Sequence, residues 1–123
     1  MNEEAVGRAI EDFLKSSQVK REDLFITSKL WDADHERAAD AINDSLKKLK
    51  LDYIDLYLIH SPGNMGEEAR LKAWKDLEAA VDKGTIKSIG VSNVSFLMIL
   101  CFLTLDSGPL LIFFIPFCPN FTV

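Results

Sequence analysis

The chain has 123 residues, with 14 Lys and Arg against 19 Asp and Glu for a formal net charge of −5, a length that fits one hydrophobic core. Basic residues are interspersed with acidic ones and gather only in short clusters such as Lys47-Lys48, which excludes the concentrated basic face a nucleic-acid surface requires. The two cysteines, Cys101 and Cys118, lack CxxC or His/Cys ligand spacing, and Met1-Asn2-Glu3-Glu4 has neither a basic nor an apolar leader region, so no disulfide framework, structural zinc or secretory signal is expected, and the cytoplasm is the default compartment.

Asn2 is placed to cap a first helix, with Glu3 and Glu4 in its first turn and Val6, Ala9, Ile10, Phe13 and Leu14 at helical spacing to about Ser16. After the turn-rich Lys20 to Asp23, the strand formers Leu24 to Ser28 predict a first strand ending near Leu30. Asp32 and Asp34 offer N-cap chemistry for a second helix, whose Ala38, Ile42, Leu46 and Leu49 share one face. Tyr53 to His60 is apolar on both faces over most of its length, as expected of a parallel strand covered on both sides, and it stops at Ser61-Pro62-Gly63. A third helix carries Ala73, Trp74, Leu77, Ala80 and Val81 on one side and closes at Lys83-Gly84; Ile86 to Val91 is the third strand.

Strand starts near Leu24, Tyr53 and Ile86, with an amphipathic helix between each pair, give the period of a βα repeat with parallel strands. Periodicity leaves two α/β architectures open, the doubly wound sheet and the eight-stranded barrel. No turn reads GxGxxG or GxxxxGK[ST], which favours the barrel.

Each strand delivers a polar residue at its carboxyl end: Lys29, His60, and Ser92-Asn93. That is the edge where both fold types build their sites. Taken singly, Lys29 reads as a snorkelling surface charge, His60 as a turn residue before Ser-Pro, and Ser92-Asn93 as turn chemistry. Their recurrence on one edge favours a site. His35, with Asp32, Asp34 and Glu36, invites a metal reading, but capping and dipole complement at a helix start is preferred and no metal is expected.

The runs Asn2-Glu3-Glu4-Ala5-Val6-Gly7, Phe25 to Trp31, Asp52 to Pro62 and Ile89-Gly90-Val91-Ser92-Asn93 resemble the aldo-keto reductases in order and spacing over residues 2 to 93. The resemblance implies a partial (β/α)8 TIM barrel of three parallel βα units, and by family a cytoplasmic oxidoreductase that reduces small aldehydes and ketones with NADPH, or sometimes NADH, without a metal. It further implies that Lys29 lowers the pKa of a general-acid Tyr, that His60 orients the substrate carbonyl, that Ser92 and Asn93 hold the nicotinamide carboxamide, and that Trp31 walls the substrate pocket. The alternative for Trp31 is ordinary packing at the barrel mouth.

The family's catalytic Tyr and Asp precede the segment that Asn2-Glu3 matches, so they are expected upstream of the first residue, and Tyr53 and Tyr57 are not at strand ends that could replace them. The other departure follows Asn93. The first 93 residues hold 32 charged side chains, whereas the last 30 hold only Asp106, with six of the eight Phe and three of the four Pro. Residues 94 to 123 are therefore read as an apolar tail unrelated to the family, translated intron or a truncated gene model, since Val94-Ser95 is what a common splice-donor sequence encodes. A membrane span is disfavoured: neither apolar run reaches about 18 residues, and Asp106 would fall near the middle. The fragment is expected to be inactive alone. The rival reading is a non-catalytic interaction protein, associated with a membrane through its apolar tail; self-association through open sheet edges and the tail is the further partner expectation.

Overall fold

The computed structural model describes residues 2–63 and 66–94. Expectations for the tail beyond Val94 lie outside the described residues. Helix α1 spans Glu3–Ser16, strand β1 Thr27–Leu30, helix α2 Ala38–Leu49, strand β2 Ile54–Ile59, helix α3 Glu67–Asp82 and strand β3 Ile86–Val91. Short 3₁₀ segments at Arg21–Asp23 and Asp32–Arg37 precede β1 and α2.

The sheet is parallel in the order β1-β2-β3, as the βα period predicts. In its register Lys29 lies beside Leu58 and Leu58 beside Gly90, while Leu30, Ile59 and Val91 form the next row. Because side chains alternate along a strand, these rows face opposite sides. The row containing Leu30, Ile59 and Val91 joins Ile42, Leu46, Leu49, Trp74 and Leu77 from α2 and α3 in one apolar core. All six residues of β2 are buried, which explains its near-continuous apolar run: it is the central strand, paired on both edges.

Three local expectations need correction. Leu24, Phe25 and Ile26 are not strand, and Phe25 is 66% exposed; the chain reaches the sheet only where the Ile26 carbonyl accepts from the Asp55 and Leu56 N–H groups. Asn2 occupies the N-cap position of α1 without a side-chain capping bond. Nor do Asp32 and Asp34 cap α2: they sit in the 3₁₀ segment before it, and the N-cap position is Arg37. The C-terminal signal of α3 is as expected, with Gly84 at φ +75° and its N–H donating to the Val81 carbonyl.

Candidate functional site

The pairing continues past the strand ends, and this is what collects the polar residues. The His60 N–H donates to the Leu30 carbonyl, and the Ser92 N–H donates to the Ile59 carbonyl. Beyond Ser92 the backbone turns through Asn93 at φ +57°, a left-handed conformation that Asn tolerates better than most residues. From there the Asn93 Nδ2 donates to the His60 carbonyl at 2.8 Å and to the Ser92 Oγ at 3.2 Å. The ends of β2 and β3 are thus tied by side chain as well as backbone.

Trp31, one residue beyond β1, stacks on His60 with ring centroids 4.5 Å apart and an interplanar angle of 28°. It remains 46% exposed. The structure therefore brings together Trp31, His60, Ser92 and Asn93. Lys29 shares their edge, but its register partner is Leu58, two residues before His60. Strand spacing puts its Cα on the order of 8 Å from that of His60. Lys29 is exposed and makes no ion pair among the described residues.

Sequence reasoning missed the group around Asp32. Its Oδ1 lies 3.3 Å from His60 Nδ1, and its Oδ2 accepts from the Ser61 hydroxyl at 2.6 Å. Ser61 Oγ in turn accepts from the Gly63 N–H at 3.1 Å. Gly63 has φ +59°, and a Cβ there would lie 3.3 Å from Asp32 Cβ. The usable sequence signal was Ser-x-Gly directly after the histidine; Asp32 was masked by its resemblance to a helix cap.

His35 does not cap either. It is fully buried, and neither ring nitrogen has a hydrogen-bond partner. Burial pushes its pKa below the ordinary histidine value, with Asp32 and Asp34 opposing and Arg70 reinforcing the shift. Among the described residues, no group of three His, Cys, Asp or Glu side chains is arranged to hold a metal, and no helix is long and apolar enough to cross a membrane.

The opposite edge of the sheet has a different chemistry. Asp55 accepts from Arg21 at 2.7 Å and from the Ile26 N–H at 3.0 Å, with Lys87 at 3.5 Å. Arg21 and Lys87 also lie over the Tyr53 ring, at 4.0 and 3.9 Å from its centroid. Burial works to raise the Asp55 pKa, but the Ile26 hydrogen bond and the two cations outweigh it and hold the carboxyl below its usual value. Tyr57 is buried in mid-strand on the α2 side, 3.0 Å from the Ser45 hydroxyl. Burial pushes its pKa up to about 12 despite that bond. Neither tyrosine is at the carboxyl edge.

Residues 1–107 match the model of the Aldo/keto reductase family. The chain is 53% identical over 92 residues to the methylglyoxal reductase DkgA of Escherichia coli K12, a match covering 75% of this chain and 32% of that protein. It therefore spans about a third of the length of that relative. Among solved structures, the aldose reductase from Schistosoma japonicum superposes with a TM-score of 0.81 at 35% identity, covering 92% of this chain and 44% of that one. The Bombyx mori aldo-keto reductase in complex with NADP gives 0.78 at 39% identity, covering 85% and 37%. The three βα units are thus part of a (β/α)8 barrel.

Proposed function

Because the chain belongs to the aldo/keto reductase family, we propose that it supplies the Lys, His and Ser-Asn portion of a site that reduces aldehydes and ketones to alcohols. The observation that carries this reading is the bonded cluster of Trp31, His60, Ser92 and Asn93 on the edge that Lys29 shares. The donor set at Ser92-Asn93 suits a nicotinamide. Ser92 is buried and its Oγ accepts from Asn93 Nδ2, which leaves its own proton without an acceptor among the described residues, while Asn93 Oδ1 has no donor among them. One donor beside one acceptor matches a primary carboxamide. A bound reduced nicotinamide supplies the hydride.

The chain's own residues then divide the remaining work. His60, held by backbone on one side and by Trp31 on its face, orients the carbonyl. Trp31 offers an apolar wall for the substrate. Lys29 places a positive charge that favours the phenolate form of a general acid and so lowers its pKa. That acid is not among these 123 residues: Tyr53 is under Arg21 and Lys87 at the far edge, and Tyr57 is turned toward α2. The chain by itself is accordingly assigned no turnover. We also end the family portion at Asn93, short of the residue 107 to which the family model extends, and transcript sequence across codons 93 to 95 tests that boundary.

The functional test is a chimera in which the matched 92-residue segment of DkgA is replaced by that of this chain. Methylglyoxal reduction is expected to survive in the chimera, and Lys29→Met or His60→Ala within it should reduce the rate by about 10²-fold or more. An inactive but folded chimera, or one indifferent to both substitutions, refutes the reading. Aldehyde-dependent NADPH consumption by the 123-residue chain, above that of its Lys29→Met, His60→Ala double variant, overturns the assignment of no turnover.

A further inference from the structure

We infer that Asp32 is a positioning residue that fixes the proton of His60 on Nδ1, so that the neutral ring meets a ligand with Nε2 as an acceptor. Gly63 N–H can only donate, so Ser61 Oγ accepts from it. The single Ser61 hydroxyl proton is then given to Asp32 Oδ2, at 2.6 Å. Asp32 is left as an acceptor at Oδ1, where His60 Nδ1 is 3.3 Å away, and a carboxylate oxygen there requires a proton on Nδ1.

The geometry is built from several directions. His60 is held by its N–H on the Leu30 carbonyl, by Asn93 Nδ2 on its own carbonyl and by the Trp31 ring on its face. Asp32 is held by Ser61 and packed against Gly63, where a Cβ would stand 3.3 Å from its own. Nε2 has no hydrogen-bond partner among the described residues.

The chemical consequence is specific. With one proton, committed to Asp32, His60 accepts from a hydroxyl or another donor on the ligand. Donating to a carbonyl oxygen requires a second proton, on Nε2. Asp32 thus sets the hydrogen-bonding sense of the neutral His60 ring. That His60 faces a substrate at all rests on the function proposed above; the position of its proton does not.

The test is the ring-nitrogen NMR spectrum of the full chain carrying ¹⁵N-labelled histidine, at a pH where His60 is neutral, with His35 as the internal reference for an intact fold. The expected spectrum has a protonated Nδ1 and a bare Nε2 for His60. Asp32→Ala should move the tautomer ratio toward Nε2–H by roughly three- to tenfold, the equivalent of one ordinary hydrogen bond, and Ser61→Ala should move it the same way by less. A wild-type ring protonated on Nε2 alone overturns the inference, whether or not the variants fold. So does an Asp32→Ala variant that keeps the His35 signals and an unchanged His60 ratio. Loss of activity in the chimera with a wild-type tautomer as expected would fault the functional reading and leave this inference standing.

Discussion

Gly7→Ala tests how α1 is docked. Gly7 is the buried residue of that helix, and a Cβ built on it would stand 2.8 Å from both the carbonyl carbon and the Cα of Leu49, and closer still to the Lys48 carbonyl oxygen. These are backbone atoms at the end of α2, so no rotamer change can relieve the clash. Reaching an ordinary carbon–carbon separation of about 3.5 Å requires the helices to part by at least roughly 0.7 Å. Overpacking of this kind costs about 1–3 kcal/mol, whereas the same substitution in a freely solvated helix would stabilise it by about 0.5–1 kcal/mol. The net expectation is a destabilisation of up to about 2.5 kcal/mol, centred on about 1 kcal/mol, read as a lower urea midpoint with unchanged slope. The Lys50–Glu11 ion pair and the Ser28–Glu3 hydrogen bond, 2.8 Å, join α1 to α2 and β1, so amide exchange in α1 should accelerate more than in β2. A variant as stable as the wild type, or more so, refutes the close approach, because the sign of the effect separates contact from solvent.

Two further substitutions probe the buried ionisable groups. Asp55→Asn should cost about 2–3 kcal/mol by leaving Arg21 without its charge partner. Since the folded pKa of Asp55 is depressed, its contribution is complete above the unfolded carboxylate value near 3.9 and is lost as pH falls through the lower folded value. Thermal melts from pH 5 down to pH 2 should show a steeper loss in the wild type than in the variant; parallel curves would refute the network. His35 has the opposite sense: its folded pKa is lowered by burial, so the unfolded chain takes up the proton first and stability falls as pH drops below about 6.5. His35→Phe should remove that slope between pH 7.5 and 5, and persistence of the slope would place its origin elsewhere.

The parts of the fold legible in the sequence were those fixed by burial. The continuous apolar run of β2 and the helical faces of α2 and α3 correspond to the central strand and the single core it shares with them. The polar strand endings were legible for the same reason, since only the carboxyl edge interrupts each apolar run. What was illegible depended on contacts distant in sequence. Leu24 to Ile26 have strand-forming residues but no partner strand alongside until Ile26, so pairing and not propensity decides where β1 begins. Asp32 has cap chemistry, yet Ser61 and His60, 29 and 28 residues away, claim its carboxylate. Local preference cannot anticipate a partner that the sheet alone brings near.

The two ends of the sheet show why the same residue types carry different meaning on each. At the amino edge, Asp55 has two cations and a backbone N–H, and Arg21 additionally holds the Tyr53 and Leu24 carbonyls. Arg21 Nε is the one donor of this group that is buried without a partner among the described residues; the other bonds close within the protein, so the group serves stability and presents little to a ligand. At the carboxyl edge, the bonds fix orientation but leave valence open: Asn93 Oδ1 and His60 Nε2, on half-buried residues, are positioned without being consumed, while Ser92 is buried beneath them. A cluster whose backbone is held and whose outward atoms are unspent is what ligand binding requires. The Asp32–His60 pair belongs with this second kind. Its carboxylate occupies the inner nitrogen of the ring, and the effect is to define the proton state of the outer one.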